Sequence, residues 1–446
     1  MIMSDIPTER GSLADFQSAL DFVCALRNAG SKFSLDRIRK FAEAFGNPHL
    51  KYPVIHVAGT NGKGSVCAMI ERILRAGGAK TGMFTSPHLV NIGERVQINR
   101  RELSRAEILL RIRSLREIAD KIFDPSDRAA YPSFFEYMTL LAFCAFAEAK
   151  VDAAVVEVGL GGRLDSTNIV SPDICAITSI GLDHTALLGG TCEKIAAEKA
   201  GIIKKSVPVV CGFVPDSAFG VIRARAEEVG APFYDVRDYF PDENSLPETS
   251  LFGKFQRRNA AVALLCARVL RGRADRGGSA KIFSILDESS ARRALLDVSW
   301  PARWQKIPLA NGSTLILDSS HNEEGARTLE CNLRSLGGEK PVIAVGVLGE
   351  ERAVPLFKVI SKYAKKILLL VPREPRALNF EALKKCVGDC GAPIEECEVG
   401  EVFRPGRRCP YVGAGETIVS TGSIYLAGEV LAALSGATPD GLSDRI

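Results

Sequence analysis

The sequence predicts an α/β protein with two domains, a first domain built on a parallel, doubly wound sheet and a smaller second α/β domain. Short apolar runs rich in β-branched residues alternate with amphipathic stretches along most of the chain, which is typical of strands joined by helices. At 446 residues the chain is also long for a single core. Trp300-Pro301 interrupts the alternation, so we predict domains at 1–298 and 299–446.

The composition indicates an ordinary globular protein, with 46% hydrophobic and 25% charged residues. A net charge of +4 is nearly balanced at this length, which disfavours a nucleic-acid partner. The 12 cysteines include no C-x-x-C pair, so we expect reduced thiols. We find no secretory signal and no apolar run long enough to span a bilayer, and we therefore expect a cytoplasmic monomer without a membrane partner.

The first domain opens with two helices, predicted at Leu13–Asn28 and Leu35–Phe45 from the helical spacing of their apolar residues. A turn at Ala29–Ser34 separates them. The first strand begins at Val54 and runs into a glycine loop that ends at Ser65, and an amphipathic helix follows at Val66–Gly77.

This glycine loop is the strongest functional signal in the chain. It reads Gly59-Thr60-Asn61-Gly62-Lys63-Gly64-Ser65. The backbone N–H groups at a helix N-terminus bind anions, so phosphate is the expected ligand of this loop. Lys63 can meet the β- and γ-phosphates, and the hydroxyls of Thr60 and Ser65 can reach a bound magnesium ion. The general pattern G-x-x-x-x-G-K-[ST] is not met, because Val57 replaces its first glycine and Gly64 separates Lys63 from Ser65. A glycine-rich turn with a solvated lysine is the simpler alternative.

The rest of the first domain continues the alternation. Ser133 followed by Glu136 predicts a capping box that opens a buried helix. The predicted elements are strand Lys80–Thr85, a hairpin-like loop Val90–Asn99, helix Leu103–Phe123, helix Tyr137–Ala149, strands Val151–Val158 and Ile174–Ile180, helix Glu193–Lys199, strand Pro208–Cys211, a surface loop Arg237–Thr249, helix Phe255–Leu270 and a flexible insertion Arg271–Ser279.

Four polar residues after the loop could carry chemistry: Ser86, Glu157, His184 and Lys199. Most of them follow a strand, where ligands bind in open α/β sheets. A hydroxyl, a carboxylate and an imidazole can hold Mg²⁺ together with phosphate oxygens and water. Singly, each residue has a simpler explanation as a strand terminator, an ion pair, a structural histidine or a helix-surface lysine. Their coincidence with the glycine loop favours a shared site.

The second domain repeats the alternation of strands and helices. Its predicted elements are strand Thr314–Leu317, helix Glu324–Leu336, strand Val342–Val347, helix Val354–Tyr363, strand Lys366–Leu370, helix Phe380–Val387, strand Thr417–Thr421 and helix Ile424–Leu434.

Several motifs together resemble the Mur ligase family, and most closely its folylpolyglutamate synthase/dihydrofolate synthase branch. They are the glycine loop, Thr85-Ser86-Pro87-His88-Leu89, Phe134-Phe135-Glu136, Glu157 to Asn168, Leu182-Asp183-His184, Glu198-Lys199-Ala200-Gly201-Ile202, Gly253 to Ala261, Trp300 to Arg303, Leu317 to Asn322 and Thr421 to Val430. The resemblance implies a Mur-ligase-type, P-loop-containing central domain followed by a C-terminal α/β domain.

The same resemblance implies roles for individual residues. Ser86 and Glu157 would hold one Mg²⁺ and His184 a second. Lys199 would be carbamylated and become an oxygen ligand of that second ion. The resemblance implies that ATP is bound by Gly59 to Ser65, Asn259, Arg303, Asp318 and His321. It implies that the pterin-bearing substrate is bound by Ser133, Phe134, Phe135, Glu136, Leu164, Asp165 and Ser166. The chain departs from the family pattern at Phe255, Ser319-Ser320, Glu323 and Gly349-Glu350.

The implied activity belongs to folate biosynthesis. An ATP-dependent ligase would add L-glutamate to dihydropteroate, to the γ-carboxylate of a folate, or to both, through an acyl phosphate, with Lys63, Glu157, His184 and Lys199 at the reaction centre. Another Mur-type ligase acting on a cell-wall peptide is the alternative enzyme, disfavoured because little sequence precedes the loop. A nucleotide-binding regulator without turnover is the alternative from another class.

Overall fold

The computed structural model describes residues 13–26, 34–275, 281–388 and 390–440. The predicted turn at Ala29–Ser34 lies almost entirely outside these ranges, as does the second half of the predicted insertion at Arg271–Ser279. The first half of that insertion is helical, because the preceding helix continues to Ala274.

The first sheet confirms the predicted parallel core. Its strand order is β4-β3-β2-β5-β1-β6-β7-β8. The β2–β3 and β3–β4 pairs at one edge are antiparallel, and the other neighbours pair in parallel. The sheet is therefore mixed, and the predicted hairpin-like loop holds strand β3. The strands are β1 Val54–Ala58, β2 Thr81–Phe84, β3 Val96–Ile98, β4 Arg101–Glu102, β5 Ala153–Glu157, β6 Ile174–Ile177, β7 Val209–Cys211 and β8 Phe233–Asp235.

Helices cover both faces of this sheet. Along β1, Ile55 and Val57 join one core and Val54 joins the other, because side chains alternate between the faces of a strand. The helices are α1 Leu13–Ala25, α2 Asp36–Glu43, α3 Lys63–Ala76, α4 Arg105–Ile122, α5 Phe134–Ala149, α6 Thr185–Leu188, α7 Cys192–Ala200, α8 Asp216–Glu228, α9 Val236–Tyr239, α10 Lys254–Ala274 and α11 Glu288–Leu295. The structure adds α6, α8, α9, α11 and β8 to the predicted elements, and the predicted surface loop Arg237–Thr249 begins inside α9.

The second sheet has the order β13-β12-β11-β14-β10-β9, with β9 antiparallel to β10 and the remaining pairs parallel. Its two faces form separate apolar cores. The elements are β9 Gln305–Pro308, β10 Thr314–Leu317, α12 Glu323–Arg334, β11 Val342–Val345, α13 Glu350–Tyr363, β12 Lys366–Leu369, α14 Phe380–Val387, β13 Ile394–Glu396, α15 Val399–Val402, β14 Thr417–Thr421 and α16 Ile424–Ser435. Sequence patterns predicted neither β9, β13 nor α15.

We call the part of the chain that carries the first sheet the first lobe, and the part that carries the second sheet the second lobe. The first sheet ends at Asp235 and the second begins at Gln305, while the division at residue 299 stays a prediction. All twelve cysteines are free thiols. Within the described ranges, no helix is both long and apolar enough to cross a membrane.

Candidate active site

A cavity of about 730 Å³ lies where the carboxyl ends of strands from both sheets meet. Its lining comes from the turns after β1, β2, β5 and β6 in the first lobe and after β10, β11, β12 and β14 in the second. The carboxyl ends of parallel strands share one edge of a sheet, so loops far apart in sequence converge there. Of the residues that the sequence assigned to a site, all line this cavity except Asn259.

The glycine loop makes backbone approaches that only glycine permits. Gly62 has φ +85°, and a Cβ there would lie 2.4 Å from Oδ1 of Asn259. Gly59 has φ +153°, and its Cβ would meet the hydroxyl of Thr178 at 1.9 Å. Asn259 therefore supports the loop from α10 rather than facing the cavity. The helix begins at Lys63 and not at the predicted Val66, which places the loop's last N–H groups in the first helical turn.

The side chains of the loop differ in how far they are already engaged. Lys63 folds across the loop, and its Nζ donates to the carbonyl oxygens of Gly59 at 3.1 Å and Thr60 at 3.2 Å. The Thr60 hydroxyl exchanges hydrogen bonds with the backbone of Gly181. In contrast, the hydroxyl of Ser65 is buried and has no hydrogen-bond partner among the described residues. Such an orphaned donor fits a phosphate or metal ligand.

Ser86 and Glu157 lie side by side at the ends of β2 and β5. The backbone N–H of Ser86 donates to Oε2 of Glu157 at 3.1 Å. Glu157 is buried, and this burial raises the pKa of its carboxyl, although Lys63 and the Ser86 hydrogen bond oppose the shift. A buried carboxylate that faces a lysine is poised to bind a cation.

His184 and Lys199 line the same cavity. His184 has φ +51° and caps α6, and burial lowers its pKa to about 4, so the imidazole is neutral at physiological pH. That neutral form is the one that binds metals. Lys199, at the end of α7, is only 5% exposed. Burial first and the charge of Lys63 second lower its pKa to about 7, so an appreciable fraction is uncharged near neutral pH.

These donors fit magnesium only together with ligands from outside the protein. In the part of the chain that the structure describes, no group of three His, Cys, Asp or Glu side chains is close enough to hold a metal ion. Mg²⁺ usually keeps waters and substrate phosphates around one or two carboxylates. The orphaned Ser65 hydroxyl and the buried Glu157 match that kind of site.

The second lobe contributes Arg303, Asp318 and His321 to the same cavity. Nη1 of Arg303 donates to the carbonyl oxygen of Ala302 and to the hydroxyl of Ser319. Ser319, one of the departures from the family pattern, therefore helps to position the arginine. Asp318 accepts from the N–H of Ser320 at 2.9 Å. The arginine is thus held by the side chain of Ser319, whereas the acid is held by the backbone N–H of Ser320, which any residue except proline would supply at that position.

Asp183 joins the two lobes, a role that the sequence did not indicate. Its carboxylate accepts from Nη2 of Arg352 at 2.6 Å and from Nδ2 of Asn322 at 3.2 Å. Nε2 of His321 lies 3.5 Å away. Burial opposes ionisation of Asp183, but the hydrogen bond with His321 and the charge of Arg352 outweigh it and hold the pKa of Asp183 well below the usual range.

A second contact between the lobes reaches the glycine loop itself. Nδ2 of Asn61 donates to Oε2 of Glu324 at 2.6 Å, and Nδ2 of Asn322 donates to Oδ1 of Asn61 at 3.0 Å. Burial raises the pKa of Glu324 against the hydrogen bonds from Asn61 and Ser179. These partners are more than 250 positions apart in sequence, so no local pattern could have revealed them.

The segment Ser133–Glu136 lines the cavity beside α2. The predicted capping box is confirmed, with Ser133 and Glu136 bonded reciprocally at the start of α5. Glu136 also pairs with Arg37, whose Nε donates to both carboxylate oxygens, at 2.9 and 2.7 Å. Phe135 packs against Gly159, where a Cβ would lie 2.4 Å from its ring. Phe134 is buried with the guanidinium of Arg95 5.2 Å above its ring.

Leu164, Asp165 and Ser166 lie on the neighbouring loop. The carboxylate of Asp165 is buried and accepts from the N–H of Leu160 at 2.9 Å and from the N–H of Thr167 at 3.0 Å. Burial nevertheless raises its pKa. Asp165 thus shapes the loop, which leaves Leu164 and Ser166 half-buried at the cavity surface.

The predicted nucleotide end of the cavity contains aromatic residues that the sequence analysis did not single out. Phe252 and Trp304 stack with ring centroids 6.0 Å apart and an interplanar angle of 19°. Phe255, one of the departures from the family pattern, lines the same cavity, as does Gln256. Gln256 also accepts a hydrogen bond from Asn259 at 3.0 Å, which ties this group to the glycine loop.

Comparison with known proteins agrees with this geometry. Residues 57–236 match the Mur ligase middle domain. The chain is 37% identical over 336 residues to the dihydrofolate synthase/folylpolyglutamate synthase of Bacillus subtilis, covering 70% of this chain and 75% of that protein. The structure of Mycobacterium tuberculosis folylpolyglutamate synthase complexed with ADP aligns with a TM-score of 0.79 and 28% identity, covering 95% of this chain and all of the other. Escherichia coli FolC in complex with DHPP and ADP aligns with a TM-score of 0.75 and 28% identity, over 93% and 96% of the two chains.

Proposed function

The chain belongs to the dihydrofolate synthase/folylpolyglutamate synthase family of ATP-dependent ligases, and we propose that its cavity joins L-glutamate to the carboxylate of a pteroate or folate acceptor. The observation that carries this proposal is the convergence of the glycine loop, Glu157, His184, Lys199 and Arg303 on one cavity. Homologous structures bind ADP at 28% identity over nearly the whole chain, which supports nucleotide binding here.

In the first step, an oxygen of the acceptor carboxylate attacks the γ-phosphorus of ATP, and the bond from that phosphorus to the β-phosphate oxygen breaks. The products are an acyl phosphate and ADP. Lys63 and Arg303 offset the negative charge that spreads over the phosphoryl oxygens. Lys63 can leave the two loop carbonyl oxygens it now contacts when phosphate offers stronger partners.

Ser86 and Glu157 would hold one Mg²⁺, with the Ser65 hydroxyl facing the same phosphates, and His184 would hold a second. Bound magnesium supplies charge neutralisation to the transferring phosphoryl group. We propose that Lys199 is carbamylated. Its neutral amine adds to the carbon of CO₂ and loses a proton, which converts a cation that cannot bind a metal into an anionic oxygen ligand. The lowered pKa of Lys199 supports this step because only the uncharged amine is nucleophilic.

In the second step, the amine of L-glutamate attacks the carbonyl carbon of the acyl phosphate. The carbon–oxygen bond to phosphate breaks, inorganic phosphate leaves, and the nitrogen loses a proton. No covalent bond to the protein forms. The contacts of the second lobe with the glycine loop, through Asn61 and Glu324, would exclude water that would otherwise hydrolyse the acyl phosphate.

We place the acceptor along Ser133–Glu136 and Leu164–Ser166. Phe135 and Leu164 offer apolar surface there, and Ser133 and Ser166 offer hydroxyls. Both dihydropteroate and a folate with a glutamyl tail present an aromatic body and one reacting carboxylate, so the segment suits either. The Bacillus subtilis relative carries both activities in its name, which supports a bifunctional ligase.

The test is phosphate release from MgATP with and without L-glutamate, with dihydropteroate and tetrahydrofolate as separate acceptors. Glutamate-dependent release with both acceptors is the expected result. Release with tetrahydrofolate alone would restrict the protein to tail extension. If ATP binds but no phosphate is released with either acceptor, the folate assignment is overturned. That result would favour a cell-wall peptide ligase or a non-catalytic nucleotide-binding protein.

Lys199→Ala separates a ligase from a binding protein. Turnover should fall roughly 10²-fold or more, by analogy with the loss of a charge-stabilising group, while ATP binding is retained. Lys194→Ala, an exposed lysine on the same helix α7, is the matched control and should leave turnover unchanged. Equal turnover in the two variants would contradict a role for Lys199.

A further inference from the structure

Arg100 lies in the tight turn that joins β3 to β4, and its backbone is strained there. Ile98 pairs with Arg101 across the hairpin, so Asn99 and Arg100 form a two-residue loop, with φ +50° and +66°. Two positive φ angles are typical of a type I′ turn, in which Asn-Gly is the favoured pair. A residue with a Cβ pays for the left-handed conformation. The turn itself therefore does not explain an arginine at this position.

The turn gives this arginine a rigid support. Asn99 is bonded twice to β2, because its N–H donates to the carbonyl oxygen of Thr81 at 2.9 Å and its Oδ1 accepts from the N–H of Thr81 at 2.8 Å. The side chain of Arg100 is half-buried, and its Nη1 lies 3.9 Å from the sulfur of Met83 on β2. The guanidinium is thus carried by the edge of the first sheet.

The guanidinium contacts the segment 296–304, which joins α11 of the first lobe to β9 of the second and which we call the linker. Nη2 of Arg100 donates to the carbonyl oxygen of Ser299 at 2.7 Å. Cζ of Arg100 lies over the ring of Trp300, 5.2 Å from its centroid. One side chain therefore holds two consecutive linker residues, by a charge-assisted hydrogen bond and by a cation–π contact.

Trp300 extends this contact to the glycine loop. A Cβ at Gly64 would lie 3.0 Å from both Cζ2 and Nε1 of the indole, so the ring lies against the backbone of the loop. A side chain at Gly64 would crowd the ring. The indole therefore contacts both the guanidinium of Arg100 and the phosphate-binding loop.

The first lobe holds the linker at three consecutive residues. Val298 exchanges hydrogen bonds with the hydroxyl of Ser250, at 2.7 and 2.8 Å, and Arg100 contacts Ser299 and Trp300. The linker is therefore fixed to the first lobe up to the residue that contacts the glycine loop.

The next part of the linker is strained and carries Arg303. Ala302 and Trp304 flank this arginine with φ +57° and +55°, in the left-handed region that residues with a Cβ avoid. Such strain persists where surrounding contacts over-determine the backbone. The contacts at Ser299 and Trp300 precede this strained stretch directly, so they set where Arg303 enters the cavity.

Resting on the function proposed above, we propose that Arg100 is a positioning residue of the ligase: it fixes the linker against the glycine loop and thereby places Arg303 at the transferring phosphoryl group. Arg100 itself is not part of the lining described for the cavity. Without it, the glycine loop should still bind nucleotide, because Gly59 and Gly62 pack against their own lobe. Turnover should fall, because Arg303 loses its fixed position.

Substitutions of Arg100 separate this role from a role in the turn alone. Arg100→Gly supplies the residue that the turn favours but removes the contacts with the linker. The kcat for glutamate-dependent phosphate release should fall roughly 10- to 100-fold, since a misplacement of about 1 Å can cost about 10²-fold, while the KM for ATP stays near the wild-type value. Arg100→Lys keeps the charge without the fork and should give an intermediate kcat; it carries the test if the glycine variant does not fold.

The neighbouring Arg101 provides the matched control. It is exposed and pairs with Glu107 on α4 at 2.9 Å, and Arg101→Gln should keep the wild-type kcat. If the folded variants of Arg100 also keep the wild-type kcat, Arg100 serves only the turn and the proposal is overturned.

A double-mutant cycle tests whether Arg100 acts through the linker. With Trp300→Leu in place, Arg100→Gly should lower kcat by a smaller factor than it does in wild type, because the contact with the indole is already missing. A general loss of stability would make the two effects additive. Additive effects would therefore contradict a positioning role.

Fluorescence tests the contact without turnover. The chain has two tryptophans, Trp300 and Trp304, and both lie in the linker. In protein carrying Trp304→Phe, Arg100→Gly should make the remaining indole easier to quench with acrylamide, whereas Arg101→Gln should leave quenching unchanged. Equal quenching in the two variants would mean that Arg100 does not hold the indole.

Failure of this proposal and failure of the ligase function give different results. If wild type shows no glutamate-dependent turnover, the ligase function fails, and with it the role of Arg100 in the reaction. If wild type turns over but Arg100→Gly matches it in kcat and in quenching, the role given to Arg100 is wrong while the ligase function stands.

Discussion

The two walls of the cavity are built on different principles. On the first-lobe wall, the glycine loop is completed by its own lobe: Lys63 bonds to loop carbonyl oxygens, and Gly62 packs against Asn259. On the second-lobe wall, Arg352 and Glu324 find partners only across the cavity, at Asp183 and Asn61. Lys63 and Gly62 are therefore held within their own lobe, whereas Arg352 and Glu324 are held by contacts with the other lobe.

This difference predicts that nucleotide binding depends mainly on the first-lobe wall, whereas turnover depends on both walls. A preformed phosphate loop costs little reorganisation when a nucleotide binds, because its strained glycines are already held by neighbouring side chains. The second lobe adds Arg303, which the proposed function places at the transferring phosphoryl group. Perturbing the first wall should therefore affect every step, and perturbing the contacts between the walls should affect turnover more than nucleotide binding.

The largest effect is expected at Lys63. Lys63→Ala removes the cation that we propose meets the transferring phosphoryl group, and turnover should fall by roughly 10²- to 10³-fold. The fold should persist, since Lys63 bonds only to loop carbonyl oxygens. Phosphate release under saturating substrates measures the effect, and the exposed Lys205→Ala serves as control. If the two variants turn over equally, Lys63 and its loop do not serve phosphoryl transfer, and the role given to the first-lobe wall is wrong.

A smaller effect is expected where the walls meet. Arg352→Gln leaves the Asp183 carboxylate with a weaker partner, at a cost of about 1–3 kcal/mol in the closed arrangement. We expect a roughly 10- to 100-fold lower kcat/KM for glutamate with ATP binding nearly unchanged. Arg327→Gln, which breaks an exposed pair with Glu323 on α12, should cost no more than about 0.5 kcal/mol.

A double-mutant cycle sharpens this prediction. Asp183→Asn combined with Arg352→Gln should cost less than the sum of the two single changes, because both remove the same contact. Strict additivity would mean that Asp183 and Arg352 act separately, and the second wall would then not depend on this docking contact.

The sequence revealed the first wall far better than the second, for a physical reason. Gly59 to Ser65, Ser86 and Glu157 are marked by local signals, since each follows a strand whose apolar run is readable from its own residues. Asp183 with Arg352 and Asn61 with Glu324 are pairs between separate lobes, and no periodicity records them. The resemblance supplied Arg303 and His321 but not their partners. The stacked Phe252 and Trp304 had no local signal.

The smallest effect is expected at two helix caps. Removing the same capping box should lower the free energy of unfolding by the same amount in either helix. Ser133 and Ser104 open α5 and α4 with the same capping box, but only Ser133 lines the cavity. Replacing either serine by alanine should lower the free energy of unfolding by about 1 kcal/mol, measured by urea denaturation. Only Ser133→Ala should also raise the KM for the acceptor, since Glu136 loses the hydroxyl that donates to it at 2.8 Å and is left to Arg37 and the Ser133 N–H. An unchanged KM would remove Ser133 from the acceptor site and leave it a cap alone.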